Sequence, residues 1–211
     1  MASAARASGG DKRQMILDAA VVVFAERGFH ACRVSDIADE ANVAYGLVYH
    51  YFRSKDEVLD TLFLDRWNIL LGVISQIDEK QIPVREKLYA IASFIVDSYR
   101  HDPDLMKVII VEVTRAANSF ARTHLEKISE AYTLIAAIVS KAQTEGAFKR
   151  EVTPDFAALA VYGAIEQVLT GWIFGWLPRG EAEYEGAKTL IVETICGGLE
   201  ATAAPASARA V

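Results

Sequence analysis

Residues 28–59 read GFHACRVSDIADEANVAYGLVYHYFRSKDEVL, and this stretch decides the fold. Ile37, Ala38 and Ala41 recur at helical spacing and give a short amphipathic helix. Asn42 follows where a tight turn requires a left-handed residue, a conformation that asparagine tolerates. Val43, Val48 and Phe52 then supply the buried stripe of a second short helix. Two short helices joined by such a turn make a helix-turn-helix, whose second helix enters the DNA major groove. Ser54 and Glu57 stand at the spacing of a capping box and open a further helix through Leu59, Leu62, Phe63 and Trp67.

The same punctuation continues outward. Ile16, Ala20, Val23 and Phe24 keep helical spacing after Asp11, and Gly28 supplies the stop. Asp102 before Pro103 and Asp104, like Thr153 before Pro154 and Asp155, places a cap, a first-turn proline and an acid at a helix start. Pro83 begins another helix, and Gly146 ends a long one that starts near residue 120. Residues 156–177, FAALAVYGAIEQVLTGWIFGWL, are long enough to span a bilayer. Glu166, Gln167 and Thr170 at the centre, and the lack of a basic flank, point instead to a helix buried between protein layers. Pro178 and Gly180 are expected to close it, and Gly197 and Gly198 to close the last helix. No strand alternation and no repeat appears, so the chain is expected to be all-α.

Composition narrows the function. With 52% hydrophobic residues in 211, wholesale disorder is excluded. Cys32 and Cys196 are too few and too far apart for a disulfide framework and form no metal motif, as expected of free thiols in a reducing cytoplasm. No charged-then-apolar leader opens the sequence, consistent with a cytoplasmic protein. His30, His50, His101 and His124 are scattered without metal-ligand spacing, and the cap-proline pattern accounts for Asp102 and Asp104 beside His101. There is no nucleophile elbow, P-loop or dinucleotide glycine motif. No enzyme, cofactor or metal is expected; a helical adaptor without DNA or ligand is the other rival.

The net charge of −6 argues against a nucleic-acid partner, and residues 1–60 hold seven Lys/Arg against nine acids. Locally the picture reverses: 42–55 contains no acid and does contain His50, Arg53 and Lys55. Phosphates can be held by tyrosine hydroxyls, backbone amides and a few cations, giving an acidic protein with a modest salt dependence.

The stretch resembles the DNA-binding signature of the TetR-type bacterial transcription regulators, through Ile37-Ala38, Ala41, Val43, the run Tyr49-His50-Tyr51-Phe52, and Lys55 with Val58-Leu59. That resemblance implies an all-α homodimeric repressor with a helix-turn-helix domain at 11–53 and a ligand-binding and dimerisation domain at 54–200; the small-residue, Gly- and Pro-containing ends at 1–10 and 201–211 are expected to be disordered. It puts Tyr45, Gly46, Leu47 and Tyr49 against the bases or their flanking backbone, and Tyr49, Tyr51 and Lys55 on phosphates. Ser35 falls near the groove edge, and His50 lies in the same acid-free segment. Arg6, Lys12 and Arg13 make a mobile basic arm. Three positions depart from the pattern. Asn42 replaces the turn glycine; Ala44 stands where Ser or Thr caps the recognition helix; Arg33 replaces the cap of the preceding helix and is assigned to phosphate.

The same resemblance implies that the larger domain binds a small molecule and dimerises through its last two helices. Gly163, Ala164 and Gly171 allow close helix approach, and Leu190, Ile191, Thr194, Ile195 and Leu199 give one apolar stripe, as a twofold four-helix interface requires. Candidate effector-pocket walls are Leu62, Trp67, Leu71, Phe94, Ile95, Val108, Ile109, Val113, Leu134, Ile138, Tyr162, Ile165 and Trp172. Few charges interrupt this set, which suits a large apolar ligand. Arg115, with Asn118, Arg122 and His124, either holds an anionic head group or forms a solvated loop. EVTRAAN (112–118), AYTLIAAIVSKAQTEGAF (131–148) and YGAIEQVLTGWI (162–173) look similar to the fatty-acid-degradation branch, which implies release from operator DNA by long-chain fatty acyl-CoA. The alternative is a drug- or aromatic-compound-responsive repressor of an efflux pump.

Overall fold

The computed structural model describes residues 9–112 and 122–200. Within them the protein is helical with no strand; a single antiparallel bridge joins Phe148 to Glu200. In chain order the helices are α1 (Gly9–Arg27), α2 (Val34–Glu40), α3 (Tyr45–Tyr51), α4 (Lys55–Asp78), α5 (Val84–His101), α6 (Pro103–Lys107, continued by a π-turn over Val108–Glu112), α7 (Arg122–Thr144), α8 (Pro154–Ile173) and α9 (Glu181–Leu199). One compact unit holds the chain through Ile69 together with Ser98–Lys127; the other holds Leu70–Asp97 and the chain from Ile128 on.

Local chemistry sets the helix ends. Gly28 terminates α1 at φ 79° and Gly146 follows α7 at φ 81°, both left-handed. Asp102 Oδ1 accepts the Leu105 N–H (3.0 Å) and Thr153 Oγ1 the Phe156 N–H (3.4 Å), each with proline at the first turn. Ser54 Oγ accepts the Glu57 N–H (3.2 Å), while the Glu57 carboxylate reaches back to the Arg53 N–H (2.6 Å).

Two expected helix ends move. α8 stops at Ile173, not near Pro178, because Gly175 turns left-handed at φ 70° and sends the chain back over the helix. The Trp176 N–H then bonds the Gly171 carbonyl (2.8 Å), and the Trp172 indole bonds the Pro178 carbonyl (3.0 Å). Gly197 and Gly198 do not end α9, which runs through them to Leu199. Lys12 and Arg13, expected in a mobile arm, are part of α1, and the Arg13 guanidinium lies 5.3 Å from the centre of the Phe52 ring. Arg6 lies outside the described residues.

In the first unit, Ile16, Ala20, Val23 and Phe24 of α1 are buried with Ile37 and Ala38 of α2, Val48 and Phe52 of α3, and Val58, Leu59 and Phe63 of α4. In the second, α8 buries Ala157, Ala158, Val161, Ile165, Leu169 and Trp172, and α9 packs beside it with Ile191, Val192, Cys196 and Leu199 turned inward. Burial pushes the Cys196 thiol up to about 11; Cys32 and Cys196 are both buried and not joined in a disulfide, and the Cys32 thiol donates to the Phe29 carbonyl (3.3 Å). Lys188 is also buried and is held by Asp97 (2.7 Å) and Glu185 (2.6 Å). α8 is long and apolar enough to cross a membrane. Its inward row of small and large apolar side chains is that of a packed helix instead.

Gly72 and Gly146 isolate the backbone contribution, since a Cβ at either meets nothing within 4 Å. Gly72 lies inside α4, so Gly72→Ala should raise stability by about 0.5–1 kcal/mol. Gly146→Ala forces a side chain into the left-handed region and should lower it by about 1 kcal/mol or more. Thermal unfolding of the two variants checks the opposite signs.

Candidate nucleic-acid interface

Asn42 takes φ 50°, and this one left-handed residue reverses the chain between α2 and α3. The Val43 N–H bonds back to the Ala38 carbonyl (3.0 Å) and the Asn42 N–H to Asp39 (3.1 Å), closing the turn. α3 then packs on α2 with Val48 inward. Burying Val48 on one side of a seven-residue helix leaves the opposite side outward. Tyr45 is 53% and Tyr49 45% exposed; Ala44, Gly46 and His50 are exposed, and Leu47 and Tyr51 half-exposed. The two tyrosines meet edge to face at 5.1 Å and their hydroxyls share a hydrogen bond (3.2 Å). That bond pushes the Tyr49 phenol above its ordinary value, so it remains a neutral donor and acceptor.

Ala44 offers no side-chain cap to α3. At α2 the side chain of Arg33 has no acceptor, so the cap comes from the other direction: Asp36 Oδ2 accepts the Arg33 N–H (2.7 Å). Arg33 stays exposed, with Ser35 half-exposed behind it.

Lys55 departs from its phosphate role. Its ammonium donates to the carbonyls of Phe29 (2.7 Å), Cys32 (3.0 Å) and His30 (3.4 Å) and sits 4.6 Å from the centre of the Phe29 ring. An ammonium has three protons, and three carbonyls take them. Lys55 therefore fixes the start of α4 to the α1–α2 connection. The lysine itself was visible in the sequence, but its carbonyl partners were not. Arg27 is likewise engaged, with Asp36 (2.9 Å), and Lys107 donates to the Ala25 carbonyl (2.6 Å). Arg53, at the end of α3, is exposed.

The expected pocket walls fall in both units. Leu62, Trp67, Val108 and Ile109 are buried in the first; Leu71, Ile95, Ile138, Ile165 and Trp172 are buried in the second, where Phe94, Leu134 and Tyr162 are half-buried. Tyr162 meets Tyr132 edge to face (5.4 Å), and burial followed by the nearby Glu166 charge pushes both phenols up. Val113, Arg115 and Asn118 lie outside the described residues. His124 lies in α7 and not in a solvated loop: it is buried against Phe63 (4.5 Å between ring centres), with Nε2 3.3 Å from Asp60 Oδ1. Burial holds the imidazole below its ordinary value against the pull of Asp60, and burial raises Asp60 itself. Spacing gave no signal for this pair, 64 positions apart. A separate cleft of about 410 Å³ within the first unit is lined by Gln14, Leu17, Leu62, Asp65, Arg66, Asn68, Ile69 and Leu105, sharing only Leu62 with the expected walls.

Of the expected interface glycines, Gly171 is filled from within: a Cβ there would stand 2.7 Å from Leu177 Cδ1. Ile191 and Leu199 are turned inward with Cys196, while Leu190 and Thr194 face out and Ile195 is half-exposed. Gly163 and Ala164 are half-exposed on α8. Among the described residues no group of three or more His, Cys, Asp or Glu is placed to hold a metal.

A three-helix unit presenting an outward second motif helix defines a helix-turn-helix DNA-binding regulator. Residues 16–62 match the family of bacterial regulatory proteins of the tetR type, and residues 63–176 match the C-terminal region of YsiA-like proteins. The chain belongs to the TetR family of transcription regulators and is not an enzyme. It is 29% identical to the fatty acid metabolism regulator protein of Bacillus subtilis, over 77% of this chain and 84% of that one. It is 26% identical to the transcriptional repressor KstR2 of Mycobacterium tuberculosis, over 89% and 92%. Among solved structures, the fatty acid degradation regulator FadR from Bacillus halodurans superposes with a TM-score of 0.77 at 28% identity, over 89% of this chain and 99% of that one. FadR from Bacillus subtilis in complex with stearoyl-CoA gives 0.75 at 23%, over 88% and 98%.

Lys55→Met leaves carbonyls without their donor and should cost about 1–3 kcal/mol in denaturant unfolding, with Arg53→Ala near neutral. Below the ordinary histidine value of about 6.5 the unfolded chain takes up a proton that buried His124 refuses, so stability falls as pH drops through that window. Asp60, raised by burial, acts with the opposite sign at lower pH. The thermal midpoint should therefore fall from about pH 6.5 to about pH 5.5, and His124→Phe should flatten that fall.

Proposed function

We propose that this chain is a cytoplasmic, homodimeric repressor that leaves its operator when a long-chain fatty acyl-CoA binds the domain at 54–200. The DNA-binding domain is 11–53, with Tyr45, Gly46, Leu47 and Tyr49 toward the bases, and Tyr49, Tyr51, His50, Arg33 and Ser35 toward the backbone. The observation that carries the reading is the outward, acid-free face of α3 in a chain that has among its relatives the fatty acid metabolism regulator protein of Bacillus subtilis. The stearoyl-CoA held by a neighbour of the same fold supports the effector class, as do the mainly apolar candidate walls.

The dimer reading is supported by what the second unit leaves uncovered. Phe156 is 66%, Leu159 51% and Leu190 68% exposed, and Gly163, Thr194 and Gly197 continue the same outward faces of α8 and α9. Such a face on two adjacent helices suits a twofold partner. In a dimer the two copies of α3 would address major grooves about 34–36 Å apart. An effector acts by favouring a dimer whose α3 pair no longer matches that spacing, and linkage then makes DNA weaken effector binding by the same factor.

Leu190→Glu should shift sedimentation from dimer to monomer with helicity kept and operator affinity lost. Tyr49→Ala should leave the dimer and its stability intact while weakening affinity for operator DNA by about fivefold or more, as loss of one well-placed contact of roughly 1–3 kcal/mol requires. An adaptor without DNA predicts no affinity to lose.

A further inference from the structure

The outward face of α3 lacks the side chains that usually read bases. Tyr45–Tyr51 reads YGLVYHY and contains no Arg, Lys, Asn, Gln, Asp or Glu. The bidentate recognition of guanine by Arg and of adenine by Asn or Gln is therefore absent from the helix. The hydroxyls of Tyr45 and Tyr49 are hydrogen-bonded to each other. What the helix and its cap turn outward is the methyl of Ala44, part of the isobutyl group of Leu47, the two tyrosine rings packed edge to face at 5.1 Å with their paired hydroxyls, and the His50 imidazole, so the face is mainly apolar and aromatic. Gly46 stands among them, and a Cβ there would meet nothing within 4 Å, so the chain's own packing does not require glycine. A glycine inside a helix costs stability, and here it lets the backbone come close to whatever lies outside. In the major groove the base feature complementary to such a face is the thymine C5-methyl.

We infer that this protein reads its half-sites chiefly through thymine methyl groups, packed against Leu47, Ala44 and the Tyr45–Tyr49 edges, with Gly46 permitting the approach. This rests on the proposed placement of α3 in the groove. His50, beside Tyr51 (5.0 Å between ring centres), is the ring nitrogen donor and acceptor on the helix, one polar contact against several apolar ones.

The test begins with duplexes enriched by the full-length protein from a random-sequence pool. Affinity at fixed salt is then compared between a selected duplex and the same duplex with uracil for thymine in its half-sites. Removal of each contacted methyl should weaken binding about fourfold, and stripping both half-sites by more than tenfold. Leu47→Ala should narrow the thymine-to-uracil ratio, which a change in duplex shape alone would not do. Equal affinity for the two duplexes, enriched half-sites without thymine, or a ratio indifferent to Leu47→Ala would overturn the methyl reading while leaving DNA binding in place. Failure to enrich any sequence would overturn the placement of α3 itself.

Discussion

The left-handed turn at Asn42 is the constraint on which the DNA-facing half of the molecule depends. Reversing the chain there lets α2 and α3 share one apolar interior, Ile37 and Ala38 on one side, Val48 on the other. A seven-residue helix has too little surface to be stable alone and forms only because its inner side is buried. The side left over is then fixed in composition by position: Tyr45, Leu47 and Tyr49 face out because Val48 and Phe52 face in. Fold and recognition surface are two consequences of one register.

Charge is deployed in the same unit in a way that composition conceals. Lys55 is held by three carbonyls, Arg27 by Asp36, Lys107 by the end of α1, and Arg13 lies over Phe52. These cations hold helices together, and Arg33 and Arg53 are left outward. If α3 enters the groove as proposed, Arg33 and Arg53 are the outward cations beside it, few counterions would be displaced on binding, and affinity would depend on neutral contacts more than on ion pairs. A net acidic regulator is thereby compatible with DNA, and on the proposed reading the mainly apolar face of α3 supplies the discrimination.

The helix starts at Ser54, Asp102 and Thr153 were legible in the sequence because each cap bond spans three residues, and the helix-turn-helix with its turn residue because its partners lie in one short stretch of chain. What escaped depends on partners far along the chain. Lys55 finds carbonyls more than twenty positions back, and His124 finds Asp60 and Phe63. Gly171 looks like a close-approach residue but is occupied by Leu177, brought round by Gly175, and that reversal also ends α8 early. The residues read as one stripe on α9 divide between two sides of the helix. Ile191 and Leu199 serve the interior of their own unit, and Leu190 and Thr194 remain outside. An apolar helix can carry both an inward and an outward stripe, and periodicity alone does not label them.

The measurement that bears most directly on the account is fluorescence anisotropy of the full chain with DNA from upstream of its own gene, at fixed salt, with and without stearoyl-CoA. Saturable binding abolished by stearoyl-CoA is the predicted result. Binding that stearoyl-CoA leaves unchanged would contradict the acyl-CoA effector. If neither that DNA nor fragments selected from the whole genome were bound, DNA recognition by α3 would be contradicted with it.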